Sequence, residues 1–181
     1  MSETIKILVG DKLAQKGLDF LNSFDHVAVD VKTGLSEDDL ASIIGEYHGL
    51  IIRSGVQVTA KVLENPGQLR AIARAGVGVD NIDLSAATAK GVLVMNSAEA
   101  STITTAEHAF ALMMALARNI GPAYKVVSNG GWDRSKFVGT QLAGKTLGVV
   151  GFGRIGRTVA ERALAFGMSV VAFDPVFNAK T

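Results

Sequence analysis

The sequence predicts an α/β protein: a parallel-sheet domain followed by the opening strand, helix and strand of a second α/β domain. Short apolar runs alternate with segments of helical periodicity. Most of those runs are apolar at successive positions rather than at every other one, the mark of strands buried on both faces of a parallel sheet. A glycine-rich loop then stands between a strand-like "KTLGVVG" (145–151) and a helical stretch.

In chain order, "IKILV" (5–9) is a buried strand ending in a Gly10-Asp11 turn. Residues 12–24 place Leu13, Leu18, Leu21 and Phe24 at helical spacing. "VAVDV" (27–31) is a second strand, and Ser36 three residues before Asp39 has the form of a capping box opening a helix to about 45. "GLIIR" (49–53) is a third strand. "TAKVLEN" (59–65) is expected to be a short helix stopped by Pro66-Gly67. "LRAIARA" (69–75) and "VLVMN" (92–96) are further strands, separated by a helix with a glycine stop over 84–91. The stretch 101–120 is apolar nearly all round, so it is expected to be a helix buried between layers or domains. A helix over about 121–130 leads to Gly130-Gly131-Trp132. A strand over 145–151, a helix over 154–166 and a strand over 169–174 follow. A domain boundary is expected at 97–100.

Hydrophobic residues make up 48% and charged residues 19% of the 181, which excludes a disordered chain. The net charge is +1, and no basic stripe with interleaved aromatics marks a nucleic-acid partner. With no cysteine, neither a disulfide framework nor a thiolate metal site can form. The three histidines, 26, 48 and 108, lack metal-ligand spacing. No apolar run approaches the ~18 residues of a membrane span, and the N-terminus lacks a signal-peptide pattern. The expectation is a cytoplasmic protein without membrane or nucleic-acid partners.

Gly151-Phe152-Gly153-Arg154-Ile155-Gly156 carries the strongest chemistry. Gly151 permits a tight turn, Gly153 lets backbone approach a pyrophosphate, and Gly156 lets helix and strand pack closely. Free N–H groups at the helix start attract phosphates. Asp174, 18 positions after Gly156, ends the next strand. It can accept both ribose hydroxyls of an adenosine and would repel a 2′-phosphate, which favours NAD over NADP. The blander reading is a turn kept for packing and an ordinary strand-end aspartate.

Arg53 and Arg74 stand at strand ends, where ligands collect in parallel α/β sheets. With the Ala75-Gly76-Val77-Gly78 backbone they can converge on an anion, and an arginine fork suits a phosphorylated acid. The alternative is two solvated arginines and a helix stop. Glu107, three residues after Thr104, fits a capping box. His108 reads as a satisfied core histidine. Trp132 either anchors a partner subunit or caps the local core.

"IIRSGVQVT", "RAGVGVDNIDLSAATAKGV", "TTAEHAFALMMALARNI", "GGWDRSKFVGTQLAGKTLGVVGFGRIGR" and "AFDP" together resemble the D-2-hydroxyacid dehydrogenase family. The motifs run in the family's order over nearly the whole chain, and "GWDRSKFVGTQL" is similar to the branch that handles a phosphorylated acid. The resemblance implies a flavodoxin-like substrate domain beginning with residues 1–97 and a Rossmann cofactor domain beginning at 98–181. It implies NAD-dependent oxidation of 3-phosphoglycerate to 3-phosphohydroxypyruvate in serine biosynthesis. By motif match, Arg53, Ser54, Arg74, Val77 and Gly78 fall on the substrate side, with Val77 also meeting the cofactor. Gly151, Gly153, Arg154, Ile155 and Gly156 fall at the pyrophosphate, and Asp174 at the adenosine ribose. The family packs the helix before the cofactor strand across a subunit interface, which points Trp132 towards a homo-oligomer.

Two departures qualify what the resemblance implies. The family loop of the form N-x-P-x-x-N is "NSAEAST" (96–102) here: Ala98 replaces the proline, and Ser101 offers a hydroxyl to the substrate where the family has an asparagine amide. A weaker or altered acid specificity is therefore expected, and a glyoxylate or hydroxypyruvate reductase stays open. The family's catalytic arginine and its glutamate–histidine pair have no counterpart in these 181 residues. The chain is expected to be the N-terminal portion of a longer enzyme and inactive alone. A non-catalytic NAD-binding scaffold is the remaining alternative.

Overall fold

A computed structural model describes residues 4–176. The chain divides after Ala100 into two compact units.

In the first unit, β1 (Ile5–Val9), β2 (Val27–Val31), β3 (Gly49–Ile52), β4 (Ala71–Arg74) and β5 (Leu93–Asn96) form one parallel sheet in the order β2-β1-β3-β4-β5. Helices α1 (Gln15–Asn22), α2 (Glu37–Ile43) and α3 (Leu84–Ala89) precede β2, β3 and β5 respectively. This is the flavodoxin-type winding expected, with the strand order reversing between β1 and β3. The capping box of α2 forms as anticipated. Asp39 N–H donates to Ser36 Oγ at 3.1 Å, and Ser36 N–H donates to Asp39 Oδ2 at 3.3 Å. The Ser36 hydroxyl and amide hold the Asp39 carboxyl below the usual carboxylate range, so the cap is intact at neutral pH and lost only as pH falls through that lowered value.

Residues 59–65 do not form the expected helix. One α-helical bond, Leu63 N–H to the Thr59 carbonyl at 3.2 Å, gives way to a tighter turn bond, Glu64 N–H to the Lys61 carbonyl at 3.2 Å, and no helix follows. Pro66 has no N–H to give and biases Asn65 away from helical angles.

One face of the sheet buries Leu8, Leu50, Ile52 and Ile72 against Leu40, Ile44, Leu63 and Ala87. The register places Ile51, Ala73 and Met95 side by side on the opposite face. There α1 packs on β2, while Leu93 and Met95 remain exposed. The double coverage read from the apolar runs is therefore realised over only part of the sheet.

The second unit contains α4 (Thr102–Ala117), α5 (Ile120–Ser128), β6 (Thr146–Val150), α6 (Arg154–Ala165) and β7 (Ser169–Phe173). Asn119, at φ 54°, breaks the backbone between α4 and α5. β6 and β7 pair in parallel, linked by α6, and Phe110, Ala163 and Met168 form a small core. α4 is not the buried helix its composition predicted. Only Ala106 and Phe110 are buried, and Leu116 is 81% exposed. Composition reports what a helix can bury; within this unit α5 and α6 pack on α4, and its Phe110 joins Met168 in the small core.

Candidate functional site

At the reversal point, the carboxyl ends of β1, β3 and β4 are tied together by side chains. The Asp11 carboxylate, just beyond β1, accepts from Arg53 N–H at 2.7 Å and from Val56 N–H at 3.2 Å. The Asn81 amide donates to the carbonyls of the same two residues, at 2.8 Å for Arg53 and 2.6 Å for Val56. The turn Arg53-Ser54-Gly55-Val56 is thus held at both ends and from both sides. Ser54 and Gly55 N–H make no bond among the described residues. The Arg53 side chain and Ser54 are exposed.

Arg74 ends β4, and its Nε–H donates to Asn81 Oδ1 at 2.8 Å. Its Nη1 lies so close to Gly76 that a Cβ there would sit 2.5 Å from it, and 3.9 Å from a Cβ on Gly78. The guanidinium therefore runs along the Gly76–Gly78 loop. The carbonyls of that loop are anchored. Ser97 N–H donates to Gly76 O at 3.0 Å, and Asn96 Nδ2 donates to Val77 O at 2.5 Å. The N–H groups of Val77 and Gly78 make no bond among the described residues. Two turns with anchored ends, unbonded amides and an arginine each present the donors an anionic group requires, with an Asp11 oxygen beside Gly55 and an Asp80 oxygen beside Gly78.

In the second unit, the glycine loop has the local geometry its sequence implies. Gly151 sits at φ 91°, which favours glycine. A Cβ on Gly156 would collide with the Gly151 carbonyl oxygen and sit 3.2 Å from Val149 Cγ1, so α6 approaches β6 closely only because residue 156 has no side chain. A Cβ on Gly153 would meet nothing within 4 Å, leaving open space at the start of the twelve-residue α6. Arg154 and Ile155 are its first two residues, and no acidic residue lies in the first turn. Asp174 Oδ2 accepts from Phe152 N–H at 2.7 Å and Oδ1 from Val176 N–H at 2.8 Å. Each oxygen keeps acceptor capacity, since a carboxylate offers about four lone-pair sites. These residues fit a dinucleotide phosphate beside a ribose.

The structure brings Arg53, Ser54, Arg74, Val77 and Gly78 together in the first unit. Gly151, Gly153, Arg154, Ile155, Gly156 and Asp174 come together in the second. Ser101 belongs to the second unit, just before α4, where its hydroxyl makes no capping bond. Glu107 does not close a capping box. It pairs with Arg162 of α6 at 3.5 Å, while the Thr104 hydroxyl donates to Ser101 O. His108 is exposed rather than a core residue, and Trp132 is 77% exposed. Sequence reasoning missed Asp11 and Asn81. Their only signals were an acid after the first strand and an asparagine in the turn after the "GVGV" loop.

The fold and these two constellations define a two-unit α/β protein with a pair of arginine-bearing turns and a nucleotide-type glycine loop. The chain belongs to the D-isomer specific 2-hydroxyacid dehydrogenase family, whose catalytic-domain model matches residues 7–173. It is 51% identical over 173 residues to D-3-phosphoglycerate dehydrogenase of Synechocystis, covering 96% of this chain and 31% of that protein. A protein from Thermus thermophilus superposes with a TM-score of 0.86 at 35% identity, over 97% of this chain and 58% of that one. The D-lactate dehydrogenase of Aquifex aeolicus, solved with NAD and lactic acid, gives 0.82 at 27% identity, over 96% and 53%. The chain thus spans about a third of the length of that phosphoglycerate dehydrogenase.

Proposed function

We propose that this chain is the N-terminal portion of an NAD-dependent D-3-phosphoglycerate dehydrogenase, serving serine biosynthesis. Residues 1–97 are the start of the substrate domain and 98–181 the start of the cofactor domain. The observation that carries the reading is the pair of arginine-bearing turns, clamped by Asp11 and Asn81, at the strand-order reversal. Arg53 with Ser54, and Arg74 with the Val77 and Gly78 amides, receive the two anionic ends of a phosphorylated 2-hydroxy acid. Gly151, Gly153, Arg154, Ile155 and Gly156 hold the pyrophosphate, and Asp174 the adenosine ribose. NAD, when bound, supplies the hydride acceptor; the residues of this chain bind and orient.

The exposed Leu93 and Met95 of the sheet face, and Val150, Val171 and Phe173 on β6 and β7, support a longer polypeptide that covers them. The exposed Trp132 supports a homo-oligomer contact in the second unit. Among the described residues, no helix is long and apolar enough to cross a membrane.

The test compares NAD with NADP, and 3-phosphoglycerate with unphosphorylated 2-hydroxy acids, on the full-length enzyme. Asp174→Asn keeps an acceptor for one backbone amide but removes the charge. It is expected to raise the KM for NAD roughly tenfold and to narrow the gap to NADP. An unchanged NAD/NADP ratio rejects Asp174 as the ribose acceptor. Equal activity on phosphorylated and unphosphorylated acids favours the glyoxylate or hydroxypyruvate branch. The isolated 181-residue chain is expected to reduce no NAD, and a rate above background would refute that.

A further inference from the structure

The Asn81 side chain is buried, with the residue 4% exposed. Its backbone is pinned as well: Val58 N–H donates to Asn81 O at 2.8 Å, and Asp83 N–H returns to Val58 O at 2.8 Å. The orientation of the amide follows from its partners. The oxygen faces the Arg74 Nε–H donor, and the nitrogen faces two carbonyls, Arg53 O and Val56 O. Both amide hydrogens and one acceptor site are used, each by a different backbone or side-chain group.

We infer that Asn81 is a positioning residue for acid recognition. It joins the turn after β3 to the guanidinium after β4, so that the two anion-receiving groups hold one spacing before the acid arrives. The inference rests on the acid-binding reading of Arg53 and Arg74 given above. Arg74 is a long, half-buried side chain, and such a side chain loses rotamer entropy when a ligand immobilises it. The Nε bond to a buried, doubly anchored amide takes that loss during folding. It also leaves both Nη groups for a bidentate anion contact. Asp11 complements Asn81 by taking the two N–H groups of the same turn, but it does not touch Arg74. The side-chain coupling between the turns therefore passes through Asn81, beside the backbone bond from Ala75 N–H to Ile52 O at 2.8 Å.

The experiment is a double-mutant cycle on the full-length enzyme with Asn81→Ala, Arg74→Ala and both together, read as the KM for the acid, the KM for the dinucleotide and kcat. Asn81→Ala is expected to raise the KM for the acid roughly tenfold or more, by more than it lowers kcat, and to leave the KM for the dinucleotide unmoved. In the Arg74→Ala background the same substitution is expected to add less than about threefold, because its effect acts through Arg74. Full additivity, or no KM change from Asn81→Ala while Arg74→Ala raises it, overturns the inference and leaves the acid-site reading standing. No KM change from Arg74→Ala overturns that reading and the inference with it. A second measurement needs no variant: in nitrogen-15 spectra, the Arg74 Nε–H is expected to exchange with solvent more slowly than that of Arg53. If both exchange at the same rate, Arg74 is not held and the inference fails.

Discussion

Arg74→Ala is expected to raise the KM of the full-length enzyme for a phosphorylated 2-hydroxy acid by roughly 10- to 150-fold, the equivalent of about 1.5–3 kcal/mol for a hydrogen bond to a charged group. The side chain is held along the Gly76–Gly78 loop by its Nε bond to Asn81. Removing it deletes the charged donors and also leaves the buried Asn81 oxygen without its partner. A lower melting temperature should accompany the kinetic loss, because an unsatisfied buried acceptor costs about 1–3 kcal/mol. Arg74→Lys tests whether charge alone suffices. An ammonium has no planar fork and cannot serve Asn81 and a bidentate anion together, so lysine should recover only a small part of the loss. Steady-state kinetics with the acid varied at saturating dinucleotide measure both. A KM for the acid that does not move in Arg74→Ala would remove this residue from the substrate site.

Gly156→Ala and Gly153→Ala should separate two kinds of glycine in one loop. At 156 the added carbon meets the Gly151 backbone carbonyl, which has no side-chain torsion by which to yield. Helix α6 must shift away from β6, at a cost of about 1–3 kcal/mol of overpacking strain, and dinucleotide affinity should fall with stability. At 153 the added carbon meets no protein atom within 4 Å, and φ of −72° is open to any residue. Gly153→Ala should therefore keep the wild-type melting temperature yet weaken NAD binding, because the methyl group occupies the space through which a pyrophosphate approaches. Thermal unfolding together with calorimetric titration of NAD reads both variants. Wild-type NAD affinity in Gly153→Ala would mean that the open space at α6 is not a pyrophosphate site.

The sequence by itself determined the features written among near neighbours. Runs such as IKILV and GLIIR became parallel strands because their apolar residues satisfy both faces of a sheet. The Ser36–Asp39 box, the Gly151 turn and the close packing at Gly156 were legible because capping, positive φ and close approach are set over a few residues. Arg53 and Arg74 stood out because each follows a strand, where ligands gather.

Other features were decided only by the tertiary structure. Residues 59–65 carry helix-forming composition but make only turns before Pro66. The apolar α4 stays largely exposed, since its composition says what can be buried and only its neighbours say what is. Asp11 and Asn81 form no local motif, because Asp11 reaches residues 42 and 45 positions away and Asn81 residues 25 and 28 positions away. Which loops meet depends on the strand order β2-β1-β3-β4-β5, in which β1 lies beside β3 rather than ending the sheet. That order comes from packing helices and strands in three dimensions. The residues that could receive an anion were readable along the chain, while the residues that hold them in place became visible only once the strand ends stood side by side.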